Sequence, residues 1–170
     1  IGSKFLKASI GFGGSCFQKD ILNLVYLCEH FGLPEVGQYW ESVLNINDWQ
    51  KKRFADQIVD AFFNTVNDKS IAVLGFAFKK DTNDTRKSPA IDICMRLLEE
   101  RATLKIYDPK VEPEKIFNSL DTKKENPNIK ICSSANETFT DSNAIIVLTE
   151  WDEFKDIDFK KAYSMMKQPA

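Results

Sequence analysis

The spacing of apolar side chains changes near residue 68 of this chain. Before that point apolar positions recur every three or four residues, which is the period of a helix with one buried side. After it, short apolar runs alternate with helical stretches. The pattern therefore predicts two helices, followed by alternating strands and helices.

The helical part is predicted to contain one ordinary and one long helix. The first runs over residues 16–31, and Gly32 and Pro34 then provide a stop and a new start. The second runs from Pro34 to about Asn67, roughly 50 Å if continuous, unless it kinks near residues 45–48. Its aromatic stripe comprises Trp40, Trp49, Phe54, Phe62 and Phe63. Such a stripe predicts an interface between domains or subunits, with a simple two-helix hairpin as the alternative.

The second part of the chain predicts an α/β fold. Four apolar runs are predicted strands, at residues 70–75, 103–109, 129–132 and 144–149. Helical stretches lie between and after them, at residues 88–100, 112–120, 135–140 and 159–166. Ser88 and Pro89 are the predicted cap and first residue of the first of these. This alternation predicts right-handed crossovers and a parallel sheet covered on both faces. We place the boundary between the helical segment, 1–68, and the sheet domain, 69–170.

Composition narrows the classes of function. A net charge of -2 gives no reason to expect nucleic acid or an acidic membrane as a partner. The four cysteines form no CxxC pair and His30 is the only histidine, which argues against a metal site. Cys28, Cys94 and Cys132 lie in apolar stretches and are predicted core residues. This cysteine usage predicts a reducing compartment and a cytoplasmic protein.

The fourth cysteine, Cys16, lies in a different setting. It follows three glycines in the run GFGGSCFQKD at residues 11–20. The run predicts a loop entering a helix, with Ser15 as N-cap, Gln18 completing a capping box and the thiol in the first turn. A thiol beside first-turn amides is favoured as a nucleophile, and Asp20 lies one turn further on the same face. A buried structural cysteine is the alternative.

Neither glycine site fits a dinucleotide-binding fingerprint. The glycines before Cys16 follow no buried strand, so the G-x-G-x-x-G pattern lacks its context. Gly75 follows a strand, but the side chains of Phe76 and Ala77 would block a pyrophosphate. The polar segment 78–86 nevertheless lies where open α/β sheets bind ligands, and its Lys79 and Arg86 could meet an anion. A solvated loop is an equally good interpretation.

Two segments together carry a family resemblance. GFGGSCFQKD at 11–20 and GFAFKKDTNDTR at 75–86 resemble the UDP-glucose/GDP-mannose dehydrogenase family. Residues 5–9, 107–111 and 149–152 are similar to the same family, so the resemblance runs over the whole chain. The tight match over residues 4–20 favours the members acting on UDP-glucose over those acting on GDP-mannose or UDP-N-acetyl-hexosamines. The fold implied is a helical dimerisation segment followed by a Rossmann-like nucleotide-sugar-binding domain.

The resemblance implies an NAD-dependent oxidoreductase. It would oxidise UDP-glucose to UDP-glucuronate in two steps with two NAD. Cys16 would attack the aldehyde to give a thiohemiacetal, and a second oxidation would leave a thioester that water hydrolyses. Asp20 would position or activate that water. Cys16 and Asp20 are therefore the expected catalytic residues.

The resemblance also assigns binding roles. The expected UDP-glucose contacts are Lys7, Ala8, Ser9, Ile10, Gly11, Phe12, Gly13, Phe78 and Lys79. The expected NAD border consists of Cys16, Phe17, Gln18, Lys19 and Arg86. The long helix 34–67 is expected to form a homo-oligomer by packing on its counterpart in another subunit.

The family pattern is longer than this chain. Family members carry a preceding dinucleotide-binding domain and continue past the equivalent of Ala170, so we expect the chain to be part of a longer enzyme and inactive alone. NAD would be bound mainly by the absent domain. The competing interpretation is a non-catalytic nucleotide-sugar-binding or oligomerisation module.

Overall fold

The computed structural model describes residues 2–3, 7–122 and 126–168 of the chain. Its helical half is a hairpin of two helices. Helix α1 spans Phe17–His30 and helix α2 spans Pro34–Ala61. The two helices pack closely at Gly37, where a Cβ would lie 3.5 Å from a backbone oxygen of α1. None of the described helices combines the length and the apolar character needed to cross a membrane.

Helix α2 differs from the prediction at its end. It is continuous over 28 residues, without an interruption near residues 45–48. It stops at Ala61 instead of Asn67, because Phe63 and Asn64 have φ angles of 57° and 65°. A left-handed backbone cannot continue a right-handed helix. The helix is therefore about 42 Å long.

The sheet confirms the predicted α/β architecture. Its strands are β1 (Ser70–Leu74), β2 (Thr103–Tyr107), β3 (Ile129–Ile131) and β4 (Ala144–Val147). All pairs are parallel and the spatial order is β3-β2-β1-β4. The helices of this half are α3 (Pro89–Glu99), α4 (Pro113–Ser119), α5 (Ala135–Phe139) and α6 (Phe159–Met165). A 3-10 helix at Asp152–Asp156 was not predicted.

The aromatic stripe of α2 divides between core and solvent. Phe54 and Phe62 pack against the core of the sheet domain. Trp49 and Phe63 remain 59% and 93% exposed. Phe54 and Phe62 therefore form a contact between the helical segment and the sheet domain, while Trp49 and Phe63 are left uncovered.

Asp108 is buried at the carboxyl ends of β1 and β2, where its side chain accepts hydrogen bonds from the turns that follow both strands. Its Oδ2 accepts hydrogen bonds from the backbone N–H groups of Phe76 (2.7 Å) and Ala77 (3.0 Å). The same oxygen accepts from the indole Nε1 of Trp151 at 3.1 Å. Its Oδ1 accepts from the backbone N–H groups of Lys110 and Val111. Two sequence segments that carry the family resemblance, 107–111 and 149–152, thus meet on one carboxylate.

The turn after β1 is filled by the protein itself. Gly75 has a φ of 88°, and a Cβ there would lie 2.4 Å from the Cβ of Thr149. The hydroxyl of Thr149 donates to the carbonyl of Ala77 at 2.6 Å. Because Asp108 uses the next two amides, this turn offers neither the space nor the donors of a pyrophosphate-binding turn.

Candidate functional site

A cleft of about 920 Å³ opens beside the residues that precede α1. We call residues 9–14 the glycine loop and this opening the cysteine cleft. Ten sequence-predicted site residues line it: Lys7, Ser9, Gly11, Phe12, Gly13, Cys16, Phe17, Asp20, Phe78 and Lys79. Helix α2 forms another wall through Val43, Ile46, Asn47 and Gln50. The structure therefore brings both predicted catalytic residues and most predicted substrate contacts to one cleft.

Of the remaining predicted residues, three line neighbouring depressions of the surface. Ala8 and Ile10 line a smaller groove of about 270 Å³, which shares Phe78 and Lys79 with the cysteine cleft. Gln18 lines a polar crevice of about 210 Å³ bounded by the glycine loop and α2. Lys19 is exposed on α1.

The thiol of Cys16 is exposed at the start of α1. The predicted capping box is wrong, because α1 begins at Phe17 with Cys16 at the N-cap position and no side-chain cap. The φ and ψ angles of Cys16, -98° and -56°, are already helical, yet the described contacts include no hydrogen bond from an amide of α1 to the Ser15 hydroxyl. The Ser15 hydroxyl instead lies 3.7 Å from the Cys16 sulfur. The Cys16 carbonyl accepts from the Asp20 N–H at 2.9 Å, which fixes Asp20 one turn onward.

Two glycines allow the loop to contact the segment after β1. A Cβ on Gly13 would lie 2.2 Å from the carbonyl oxygen of Lys87. Gly14 has a φ of 91°, and a Cβ there would lie 2.9 Å from the ring of Phe78. The Gly14 N–H donates to the Arg86 carbonyl at 2.9 Å. These contacts hold together the two segments, 11–20 and 75–86, on which the family resemblance rests.

Helix α2 holds the other side of the glycine loop. The amide of Asn47 accepts from the Phe12 N–H at 2.7 Å and donates to the Phe12 carbonyl at 3.1 Å. One turn later, Gln50 donates to the Ser9 carbonyl at 3.1 Å. Sequence reasoning missed both residues, because they lie far along the chain from the loop. The signal available was two amide side chains three apart on one helix face.

Two of the three charged side chains that line the cleft are cationic, those of Lys7 and Lys79, and the third is the carboxylate of Asp20. Lys7 and Lys79 are exposed on its wall, and the Lys79 ammonium lies 5.3 Å from the centre of the Phe78 ring. Arg86 forms an ion pair with Asp84 at 2.8 Å. The Asp84 carboxylate raises the pKa of Arg86, and the negative charge of a Cys16 thiolate would act in the same direction. Hydrogen bonds from Arg86 in turn hold the pKa of Asp84 below its usual value. This set of charges suits an anionic ligand.

Two family models match the chain. One describes the central domain of the UDP-glucose/GDP-mannose dehydrogenase family and matches residues 1–49. The other describes the UDP binding domain of the same family and matches residues 72–170.

Curated relatives match over the whole chain. UDP-glucose 6-dehydrogenase of Drosophila melanogaster is 54% identical over 177 aligned residues, which cover 100% of this chain and 37% of the relative. UDP-glucose 6-dehydrogenase 4 of Arabidopsis thaliana is 52% identical and is covered over 38% of its length. The chain thus spans less than two fifths of the length of these relatives.

Solved structures share the fold. A UDP-glucose dehydrogenase from Pyrobaculum islandicum superposes with a TM-score of 0.78 at 28% identity, over 94% of this chain and 35% of that one. A GDP-mannose dehydrogenase from Pseudomonas aeruginosa superposes with a TM-score of 0.75 at 22% identity, over 94% of this chain and 36% of that one.

Proposed function

The chain belongs to the UDP-glucose/GDP-mannose dehydrogenase family, and we propose that the complete protein oxidises UDP-glucose to UDP-glucuronate with NAD. One observation carries the proposal. The exposed Cys16 thiol opens into a cleft that also contains Asp20, Lys79 and the glycine loop. The names of relatives at 54% and 52% identity support UDP-glucose as the substrate over GDP-mannose.

The nucleotide sugar is proposed to bind across the cysteine cleft. Lys7 and Lys79 supply two positive charges for its diphosphate. The ring of Phe78 and the backbone of the glycine loop supply apolar and hydrogen-bonding contacts beside them. A cleft of about 920 Å³ is large enough for a ligand of this size.

Cys16 carries the covalent step in this proposal. Once the sugar C6 alcohol has been oxidised to the aldehyde, the thiolate adds to the carbonyl carbon and forms a carbon–sulfur bond. The second two-electron oxidation converts this thiohemiacetal into a thioester. Water then attacks the acyl carbon, Asp20 takes the proton of that water, and the carbon–sulfur bond breaks. When bound, NAD supplies the acceptor for the hydride of each oxidation.

Among the described residues, the turn after β1 does not fit the pyrophosphate of NAD. The one glycine turn that follows a strand is occupied by Asp108 and Thr149. We therefore assign the pyrophosphate to a part of the protein outside these 170 residues, as the length of the relatives suggests. Cys16, Phe17, Gln18, Lys19 and Arg86 would lie beside the cofactor. The isolated chain should then show no specific NAD binding in calorimetry, and tight binding would contradict this assignment.

The catalytic proposal is tested by replacing Cys16 in the complete protein. Cys16→Ala should lower the production of UDP-glucuronate by about a thousandfold or more, because the covalent intermediate cannot form. Iodoacetamide should label Cys16 before Cys28, Cys94 and Cys132, which are buried. The matched control is Cys132→Ser, which should retain the reaction. Full conversion of UDP-glucose by Cys16→Ala would refute the proposed role.

A second candidate function applies to the 170 residues alone. The match of residues 72–170 to a UDP binding domain favours nucleotide-sugar binding without turnover. Calorimetry with UDP-glucose should then give weak binding, weaker still in Lys79→Ala. Absence of any heat at millimolar ligand would exclude this candidate.

Self-association through α2 is part of the same proposal. Tyr39 and Trp49, which do not line the cysteine cleft, are 66% and 59% exposed on this helix. Burying such side chains against a second copy would remove apolar surface from water, at about 25 cal/mol for each Å². Trp49→Glu should weaken association in sedimentation equilibrium. A clean monomer of the unmodified chain at tens of micromolar would contradict the proposal.

A further inference from the structure

The glycine loop is attached to α2 at two separate points. Asn47 binds both backbone groups of Phe12, and Gln50 binds the carbonyl of Ser9. Phe12 lies four residues before Cys16, and its ring contacts the ring of Phe17 edge-on with centroids 4.7 Å apart. Fixing the peptide of Phe12 therefore restrains the end of the loop that carries the thiol.

The hydrogen bond from Gln50 restrains the opposite end of the glycine loop, at Ser9. Ser9 borders both the cysteine cleft and the adjoining groove, and follows Lys7 and Ala8. The Ser9 hydroxyl also donates to the carbonyl of Gly11 at 3.0 Å, which closes a local turn. Gln50 thus holds the end of the loop where the proposed substrate contacts begin.

Helix α2 is itself fixed relative to the opposite wall of the cleft. Lys51, the residue after Gln50, forms an ion pair with Asp92 of α3 at 2.6 Å. Helix α3 begins at Pro89, directly after the segment whose Lys87 carbonyl contacts Gly13. Burial lowers the pKa of Lys51, but its hydrogen bonds to Asp48 and Asp92 outweigh that effect and raise it overall, so this cation stays charged. Helix α2 therefore forms one wall of the cleft and, through its ion pair with α3, also fixes the position of the opposite wall.

We propose that Asn47 and Gln50 are positioning residues that fix the two ends of the glycine loop independently. Asn47 acts on the end that carries Cys16, and Gln50 acts on the end that carries the contacts at residues 7–9. The inference rests on the proposed function and adds to it how one helix face sets the covalent step and substrate binding separately.

The test uses Asn47→Ala and Gln50→Ala in the complete protein, with Asn45→Ala as the matched control. Asn45 is an exposed asparagine on the same helix, two residues before Asn47. Asn47→Ala should lower kcat about tenfold and leave KM within about twofold, because the thiol end is released. Gln50→Ala should raise KM about fivefold with kcat within about twofold, and Asn45→Ala should change neither.

Hydrogen exchange provides a readout that needs no activity. The Phe12 amide should exchange about tenfold faster in Asn47→Ala than in the unmodified protein, with exchange in α1 unchanged. Asn47→Asp keeps the acceptor for this amide but loses the donor to the Phe12 carbonyl, so its exchange and kcat should be intermediate. It also replaces Asn47→Ala if the latter does not fold.

The outcomes separate this inference from the proposed function. If the unmodified protein does not oxidise UDP-glucose, the proposed function fails, and exchange at Phe12 alone decides whether Asn47 fixes the loop. Equal loss of kcat and rise of KM in both variants would overturn the proposal of independent ends. Unchanged Phe12 exchange in Asn47→Ala would overturn the positioning role.

Discussion

One glycine-containing turn of this protein is closed off by the protein's own side chains, and another opens into a cleft. The turn after β1 is closed, because Asp108 accepts its two amides and Thr149 fills the space beside Gly75. The glycine loop is fastened from one side by amide side chains of α2 and opens on the other into a cleft of about 920 Å³. The glycines of both turns make room for protein atoms. What distinguishes the candidate site is which face of the turn the protein leaves uncovered.

The comparison also separates two kinds of polar contact. Asp108 is buried and satisfies five donors, so its loss would leave several buried groups unpaired. Asn47 and Gln50 hold a loop that already meets solvent, so their loss costs less stability and acts mainly on geometry. Substitutions in the closed turn should therefore mainly lower the stability of the protein, and substitutions in the open loop should mainly lower its activity.

The largest effect on stability is expected from Asp108→Ala. Removing the carboxylate leaves the N–H groups of Phe76 and Ala77 and the indole of Trp151 without their acceptor. We expect a loss of about 3–5 kcal/mol in the free energy of unfolding, measured by urea denaturation. Asp156→Ala is the matched control, because Asp156 is an exposed aspartate of the adjacent 3-10 helix. Equal losses in the two variants would contradict the closed-turn interpretation.

An intermediate effect is expected from Gly13→Ala in the open loop. A Cβ there would lie 2.2 Å from the carbonyl oxygen of Lys87, so the loop must move away from that backbone. We expect about 1–3 kcal/mol of destabilisation and a larger loss of activity than the stability loss explains, since Cys16 moves with the loop. The measurements are urea denaturation and steady-state kinetics of the complete protein.

Gly37→Ala is the control for that substitution. This glycine lies inside α2, and its added Cβ would meet neighbours at 3.5 Å or more. The same change should here be neutral or stabilise by up to about 1 kcal/mol, because alanine favours the helix. If Gly13→Ala behaves like Gly37→Ala, the close contact with Lys87 is not what fixes the loop.

Features that depend only on neighbouring residues, such as helix caps, were in part predictable from the sequence. Ser88 was expected to cap the helix that starts at Pro89, and its hydroxyl accepts from the Ala90 N–H. The same argument failed at Ser15, where the preceding residue, Gly14, is bound by a non-local hydrogen bond to the Arg86 carbonyl. A cap is predictable when only neighbouring residues determine the backbone.

Non-local hydrogen bonds explain what the sequence could not show at the site. Cys16 and Asp20 were found from one short run, and the structure brings both to the cysteine cleft. Asn47 was considered only as part of a possible kink at residues 45–48, because nothing near it in sequence reveals that it pairs with Phe12, 35 residues earlier. The pairing of Asp108 with Trp151 is hidden in the same way, across 43 residues.

The smallest effect is expected from an exposed ion-pair cluster beside the closed turn. Asp152 accepts hydrogen bonds from Lys155 and from Lys80, the latter at 2.5 Å, and these lower the pKa of Asp152 from 3.8 to about 2. Because the pKa is lower in the folded state, the stabilisation is present above pH 4 and is lost as the pH falls from about 4 to about 2.

Asp152→Asn should therefore lose less stability than the unmodified chain between pH 5 and pH 2. The difference should be small and should shrink in high salt, because the side chains are exposed and their charges are screened. Urea denaturation across this pH range measures it, with Asp156→Asn as the control that should follow the unmodified chain. Identical pH dependence in Asp152→Asn and the unmodified chain would show that these ion pairs do not contribute. The polar contacts that stabilise this end of the sheet would then be the buried ones at Asp108.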